Sequence, residues 1–366
     1  MKKIGISIYP EKATFESDCL YITKSANLGF SRLFISLLEI KSDKEEIIKK
    51  FKQIITFAKE KNFEIILDVN PAIFKDLGIS YSDLSFFANL GADGIRLDLG
   101  FSGSEEALMT HNPYDLLIEI NMSHGTNYLE NILSRRPRTG FLIGSHNFYP
   151  HEFTGLDYAY FEKCCQKFKK QNIPTAAFIN APSATYGPWP LEEGICTLEV
   201  HRHLSIETQA AHLLFSDLID CVIIGNAYAS DSELEAVARV AKMRTVPISV
   251  ELAPSASELE KNIVFGSTHI YRGEISPYVY RTKSDCRKKY VNHSIPQNNS
   301  CEIEKGDILI DNELYQQYKG ELQIAKQGRE QNEKVNVVGK IHHEDFLLLD
   351  SLKPWSSFHF EPTSPN

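Results

Sequence analysis

The chain lacks the sequence patterns of several common protein classes. Among its 366 residues, the seven cysteines are an odd number and form no CxxC pair, so we expect neither a disulfide framework nor a structural zinc site. No glycine-rich phosphate loop of the P-loop or Rossmann type occurs. The formal net charge is −9 and no long block of lysine and arginine is present, which argues against a nucleic-acid partner. These absences predict a globular protein that uses no cofactor and no metal.

Long hydrophobic runs are also missing. Two lysines precede an apolar run at the start of the chain, but Ser7 and then Tyr9 and Pro10 interrupt it. The run is therefore too short for the apolar region of a signal peptide or for a membrane helix. We expect a cytoplasmic protein that does not bind membranes.

Short apolar runs alternate with amphipathic helical stretches as far as about Arg244. Eight strand–helix units predict a parallel sheet with right-handed crossovers, closed into a TIM-type (β/α)8 barrel. An open doubly wound sheet is the alternative, although the nucleotide fingerprint of that fold is missing. The predicted strands are 4–9, 32–38, 63–69, 94–99, 115–120, 140–144, 174–179 and 221–225, and the predicted helices are 15–28, 44–61, 82–90, 127–135, 158–171, 206–215 and 232–242.

The pattern changes after Lys242 to short apolar runs separated by turn residues. This change predicts a small all-β domain, a β-barrel, so the expected domains are 1–243 and 244–366. The predicted strands are 246–252, 263–265, 269–270, 279–281, 308–310, 322–324, 335–338 and 346–349, with a loop over 283–304.

Polar side chains follow nearly every predicted strand of the barrel. Each of them alone has a structural explanation, as a helix cap or as part of an ion pair inside the barrel. Together they indicate the face at which barrel enzymes place their active sites. The candidates are Tyr9, Glu11, Glu39, Asp68, Asn70, Arg96, Asp98, Glu119, Asn121, His146, Asn147, Tyr149, Asn180 and Asn226, with Glu199, His201 and Arg202 in the long loop after strand seven.

This mixture of side chains favours sugar chemistry. Carboxylates, amides, tyrosine and histidine bind hydroxyl groups, and glycoside cleavage requires two carboxyl groups, one of them protonated. We predict Asp98 and Glu119 as the catalytic pair, with Glu11 and Asp68 in reserve. Substrate binding is assigned to Tyr9, Asn70, Arg96, Asn121, His146, Asn147, Tyr149, Asn180, Glu199, His201 and Arg202.

Five segments carry a resemblance to a known family. They are GISIYPE at 5–11, FSRLFISLLE at 30–39, HNFYP at 146–150 with TGL at 154–156, the GP…EEG…TLEVHR block at 187–202, and DNELYQQYKGELQI at 311–324. With them the chain resembles the 6-phospho-N-acetylmuramidase family of bacterial cell-wall recycling over nearly its whole length. The resemblance implies a TIM-type barrel followed by a small cyclophilin-like β-barrel.

The activity implied by this resemblance is hydrolysis of the phosphorylated disaccharide MurNAc 6-phosphate–GlcNAc to MurNAc 6-phosphate and GlcNAc. A sugar phosphotransferase system would deliver that substrate to the cytoplasm. His201 and Arg202 are then the candidates for holding the phosphate or the lactyl carboxylate.

Three positions depart from the family pattern and leave the identity of the substrate undecided. His151 and Tyr186 stand where arginine is common, and Asn226 stands where an aspartate follows the glycine. The residues are therefore also compatible with hydrolysis of a different phosphodisaccharide, with a phosphosugar isomerase or epimerase, and with a non-catalytic sugar-binding protein. Homodimerisation is left open as well, since the sequence identifies no symmetric apolar patch.

Overall fold

Eight parallel strands of the computed structural model close into a barrel in chain order, which confirms the predicted fold class of this part of the chain. The structure describes residues 2–37, 44–188, 193–283, 285–298 and 301–363, and its contacts divide the chain into two compact units, Met1–Lys242 and Met243–Asn366. The barrel strands are β1 Lys3–Ile8, β2 Arg32–Ser36, β3 Glu64–Val69, β4 Gly94–Leu97, β5 Leu117–Asn121, β6 Leu142–Ser145, β7 Thr175–Ile179 and β8 Cys221–Ile224. Glu39 lies outside the described residues.

Nine helices of the described residues belong to the barrel unit. They are α1 Phe15–Leu28, α2 Lys44–Glu60, α3 Pro71–Asp76, α4 Ser85–Leu90, α5 Ser104–Met109, α6 Tyr128–Ser134, α7 Tyr158–Lys169, α8 Ile206–Leu214 and α9 Asp231–Lys242. The sequence did not predict the six-residue helices α3 and α5, whereas the equally short α4 lies within the predicted helix 82–90, which Gly91 ends. Helices α3 and α5 begin at local caps: Asn70 accepts a hydrogen bond from the Ile73 N–H, and Glu106 accepts one from the Gly103 N–H.

The barrel interior has an apolar side and a charged side. Since alternate residues of a strand face the same way, every second residue points inward. Strands β2, β7 and β8 contribute Phe34, Phe178 and Ile223 to one apolar cluster. Strands β3 to β6 contribute the inward-facing side chains Asp68, Arg96, Glu119 and Ser145. The charged groups are thus concentrated on the side of β3 to β5, and the inward-facing Arg32 of β2 joins them through its ion pair with Glu119.

The second unit is a curled, mixed seven-stranded sheet in the order β10-β15-β9-β14-β12-β13-β11. Its strands are β9 Val246–Leu252, β10 His269–Ile270, β11 Val279–Arg281, β12 Asp307–Asp311, β13 Leu322–Ala325, β14 Val335–Ile341 and β15 Ser357–Pro362. The β9–β15 pair is parallel, and the other pairs are antiparallel.

Three local predictions in this unit are wrong. Residues 263–265 and 346–349 lie in the helices α10 Glu258–Phe265 and α12 Phe346–Asp350, and the predicted loop 283–304 contains α11 Asp285–Tyr290. Short apolar runs do not distinguish a strand from a buried helical turn. The capping box of Ser257 and Glu260 was the sequence signal for α10. Across the residues described, none of the helices has the length and apolar character needed to cross a membrane.

Candidate active site

Arg96 of β4 connects the polar side chains at the mouth of the barrel. Its side chain is buried, and Nη1 donates to Asp68 Oδ1 at 2.6 Å and to Asp98 Oδ1 at 3.2 Å. Its Nε donates to Ser145 Oγ at 2.9 Å, and its Nη2 donates to Asn147 Oδ1. A single guanidinium therefore orders groups from β3, from β6 and from the residues that follow β4 and β6.

Asp68 and Asp98 bind the same nitrogen but have different surroundings. Asp68 is 2% exposed, and its burial raises the carboxyl pKa to about 6 against the lowering effect of Arg96, with Asp98 raising it further. The Asp98 side chain is 31% exposed. Because both Oδ1 atoms lie on one Nη1, at 2.6 and 3.2 Å, their separation cannot exceed the sum of those distances, 5.8 Å. The mouth thus holds one protonatable carboxyl group beside one solvent-accessible carboxyl group.

Glu119, predicted as the catalytic partner of Asp98, lies inside the barrel. Its side chain is fully buried and forms an ion pair with Arg32 Nη2 of β2, and its Oε1 lies 4.0 Å from Arg96 Nε. A buried carboxylate between two arginines acts as their counterion. Because Arg32 holds the Glu119 carboxylate inside the barrel, whereas Asp68 shares Arg96 with the accessible Asp98, we do not include Glu119 in the proposed catalytic pair.

Two further predicted residues, Asn121 at the end of β5 and His146 just after β6, point in different directions. Asn121 donates from Nδ2 to the Asp98 carbonyl at 3.1 Å and so supports the backbone of that residue. His146 points away from the mouth: its ring stacks on Phe161 of α7, and its Nε2 lies 3.3 Å from Cys165 Sγ. Burial lowers the His146 pKa to about 3. We therefore leave His146 out of the proposed site.

The loop between β7 and α8 is held by an ion pair, which we call the Arg202 clasp. The Arg202 side chain is almost fully buried, with Nε 2.7 Å from Glu199 Oε1 and Nη2 2.6 Å from Oε2. Its Nη1 donates to the carbonyls of Tyr149 and Glu193, at 3.1 and 3.0 Å. The hydrogen bonds from Arg202, and those from the Phe153 and Gly155 N–H groups, lower the pKa of Glu199 to about 2. Because these donors are engaged within the protein, we assign Arg202 a structural role and leave it out of the proposed site.

Replacing Arg202 with glutamine should lower the free energy of unfolding by about 2 kcal/mol or more, because it leaves buried carbonyls and Glu199 without their charged donor. Limited proteolysis should then cut the segment between residues 150 and 202 faster. Arg239→Gln is the control, since the exposed Arg239–Glu207 pair should contribute less than about 1 kcal/mol. If Arg202→Gln kept its stability and lost affinity only for the phosphorylated substrate, the hypothesis that Arg202 binds the phosphate would stand again.

The remaining predicted residues have structural partners in the protein or lie at its surface. The Tyr9 hydroxyl donates to the Gly225 carbonyl at 2.5 Å, and Asn70 caps α3. Asn180 Oδ1 accepts hydrogen bonds from the Ile195 N–H and from Asn226 Nδ2, at 2.9 and 3.1 Å. The buried ring of His201 pairs with His212 at 2.8 Å. Glu11 is exposed, in a 3-10 turn.

Tyr149 is the remaining candidate near the charged groups. It is half-buried, burial raises its hydroxyl pKa, and its N–H donates to the Cys196 carbonyl. Sequence reasoning missed Arg32 and Ser145 as partners of the site. Alternation along β2 and β6 was the available signal, because it places these residues on the same face as Phe34 and Asn147. Within the described part of the chain, no cluster of three or more His, Cys, Asp or Glu side chains is arranged to hold a metal ion.

The chain matches one protein family along almost its entire length. Residues 4–239 match the description "6-phospho-N-acetylmuramidase, N-terminal", and residues 246–361 match "6-phospho-N-acetylmuramidase, C-terminal". The comparison with curated proteins gives no significant match.

Two solved structures are similar in sequence and fold. An uncharacterized B. cereus protein is 47% identical, with 98% of this chain and 99% of that chain covered and a TM-score of 0.90. A conserved protein of unknown function from Enterococcus faecalis is 25% identical, with 99% and 97% covered and a TM-score of 0.74. From the two family matches, the chain belongs to the 6-phospho-N-acetylmuramidase family and is a glycosidase.

Proposed function

We propose that the enzyme hydrolyses MurNAc 6-phosphate–GlcNAc to MurNAc 6-phosphate and GlcNAc, in bacterial cell-wall recycling. Family membership supports the reaction class. The observation that carries the proposal is the placement of Asp68 and Asp98 on one nitrogen of Arg96, one carboxyl group buried with a raised pKa and the other accessible. Glycoside hydrolysis requires two carboxyl groups with this division of properties.

In the proposed mechanism Asp68 is the acid and Asp98 is the nucleophile. Asp68 gives its proton to the glycosidic oxygen while an Asp98 oxygen bonds to the anomeric carbon, and GlcNAc leaves. Asp68, now a carboxylate, takes a proton from water as that water displaces Asp98 from the sugar. Arg96 is a positioning residue that keeps both carboxyl groups in place. The two Oδ1 atoms that share Arg96 Nη1 lie at most 5.8 Å apart, which is nearer to the carboxyl separation of about 5–5.5 Å in retaining enzymes than to the about 6.5–9.5 Å of inverting enzymes, so we infer retention of configuration.

The test is to incubate the full-length protein with MurNAc 6-phosphate–GlcNAc, and separately with the unphosphorylated disaccharide, and to follow the products by mass. We expect GlcNAc release from the phosphorylated sugar only. NMR during the first turnovers should show the anomer of MurNAc 6-phosphate that retains the configuration of the substrate. No cleavage of either sugar would reject this substrate, and cleavage of both would reject the phosphate requirement.

The activity should fall as the pH rises through about 6. Burial raises the pKa of Asp68 from its usual value near 4 to about 6, so the protonated form that the acid step requires is lost above that pH. In the pH profile of kcat/KM, Asp68→Asn should lower the rate and remove this limb. Retention of the same limb in the variant would show that the limb does not belong to Asp68.

A further inference from the structure

Three tyrosines form a row on the side of the barrel that follows β7 and β8. Tyr21 of α1 is buried, and its ring centroid lies 5.0 Å from that of Tyr228. The Tyr228 ring lies 5.5 Å from that of Tyr186, which is 40% exposed. The rings meet edge to face, the arrangement that aromatic pairs prefer. This tyrosine row therefore runs from the interior of the barrel unit to solvent and ends at Tyr186.

Hydrogen bonds hold the backbone at Tyr186 and the hydroxyl groups of Tyr228 and Tyr21. The Tyr186 N–H donates to the Ala227 carbonyl at 2.6 Å, and the Ala227 N–H donates back at 2.9 Å. The Tyr228 hydroxyl donates to Asp18 Oδ1 at 2.8 Å, and the Tyr21 hydroxyl accepts from the Ala229 N–H at 3.3 Å. The exposed ring thus rests on a rigid support and would lose little freedom when a ligand covers it.

The row lies across the mouth from the carboxyl groups. In the closed order of eight strands, β8 is four strands from β4, which precedes Asp98. Tyr186 and Tyr228 follow the C-terminal ends of β7 and β8, so they lie at the same end of the barrel as Asp98. The tyrosine row and the carboxyl groups therefore border the same mouth from its two sides.

The chemistry of the row suits an uncharged sugar. Tyrosine offers a flat apolar face that can cover the C–H face of a pyranose, together with a hydroxyl at its rim. The carboxyl of Asp18, which bonds to the row, would repel a phosphate, whereas the nearby Lys12 ammonium, which donates to the Gly187 carbonyl at 2.6 Å, would attract one. The aromatic face of Tyr186 therefore carries the assignment of an uncharged sugar, and inhibition by the phosphorylated product tests the alternative.

We infer that the Tyr186 ring stacks on GlcNAc, the sugar that leaves. The Tyr228 ring, which meets the Tyr186 ring edge to face, holds the Tyr186 ring in position. This inference rests on the proposed function for the identity of the two sugars. It places the phosphorylated sugar toward Asp98 and the unphosphorylated sugar over the tyrosine row.

The experiment compares the full-length wild type with Tyr186→Ala and Tyr186→Phe by KM, kcat and product inhibition. Tyr186→Ala should raise KM about tenfold and weaken inhibition by GlcNAc by a similar factor, because the stacking surface is lost. Inhibition by MurNAc 6-phosphate should stay unchanged. Tyr186→Phe keeps the ring and should behave nearly as the wild type. Tyr114→Ala is the matched control, since Tyr114 is 43% exposed but precedes β5 at the opposite end of the barrel.

Two results would overturn the inference. Weaker inhibition by MurNAc 6-phosphate with unchanged inhibition by GlcNAc would place the phosphorylated sugar on the row. No change in either would show that the row contacts no sugar. Saturation-transfer NMR with GlcNAc alone gives a readout independent of turnover: its signal should be present in wild type and lost in Tyr186→Ala. If the wild type fails to cleave the disaccharide but passes this test, the proposed function fails and the sugar site stands.

Discussion

Replacing Asp98 with asparagine should lower kcat by about 10³-fold or more, because the amide cannot form the covalent bond to the sugar. The fold should persist, since Asp98 is partly exposed and asparagine keeps an oxygen that can accept from Arg96 Nη1. KM should change little for the same reason. Initial rates on MurNAc 6-phosphate–GlcNAc and a thermal melt of the same preparation measure both effects.

A control and a rescue make this experiment decisive. Asp93→Asn changes an aspartate just before the other end of β4 whose side chain is equally exposed, at 31%, and pairs with Lys59, so turnover should remain normal. Adding azide to Asp98→Ala should restore sugar release and yield a glycosyl azide, because azide can attack in the space left by the carboxylate. Normal turnover by Asp98→Asn would rule out Asp98 as the nucleophile.

Replacing Glu119 with alanine should lower the free energy of unfolding by about 3 kcal/mol or more, because Arg32 would lose its closest counterion inside the barrel and keep only the contact of 3.9 Å to Glu64. Arg96, 4.0 Å from the Glu119 carboxylate, would lose part of its compensation as well. Urea titration of the two proteins measures the difference. The double variant Arg32→Met with Glu119→Leu should recover most of the lost stability, since it removes both charges and fills the space.

The same position discriminates between the two candidate catalytic pairs. Glu119→Gln keeps the size of the side chain, so the share of folded protein can be measured and the rate expressed per folded molecule. A counterion role predicts a rate within about tenfold of the wild type. A stable Glu119→Gln protein that has lost about 10³-fold or more in kcat would contradict a purely structural role and return Glu119 to the candidates for the catalytic pair.

The barrel was predictable because its strands are buried on both faces and therefore appear as nearly continuous apolar runs. The same runs located the strand ends closely enough to bring Asp68, Arg96 and Asp98 together. The predicted strand ends do not fix the direction in which each side chain points, because a shift of one residue along a strand moves a side chain to the opposite face. His146 lies between the inward-facing Ser145 and Asn147, and alternation sends its ring outward to α7.

The sequence could not predict which charged side chains form ion pairs with one another inside the barrel. Arg32 and Glu119 come from strands far apart in sequence, and no local spacing indicates that they meet. Arg202 and Glu199 are separated by one helical turn, so their pairing was foreseeable, but their carbonyl and N–H partners depend on the path of the loop. Residues 189–192 of that loop lie outside the described part of the chain.

The two hydrogen bonds that join Tyr186 to Ala227 involve only backbone atoms. The path of the chain at this point therefore does not depend on which side chain position 186 carries. Natural variation, or a saturation library at this codon, can therefore replace the tyrosine while the loop keeps its backbone hydrogen bonds. Position 186 is in this sense evolvable. A single substitution at this rim of the barrel can then change which sugar is preferred, while the positions of the carboxyl groups across the mouth stay the same.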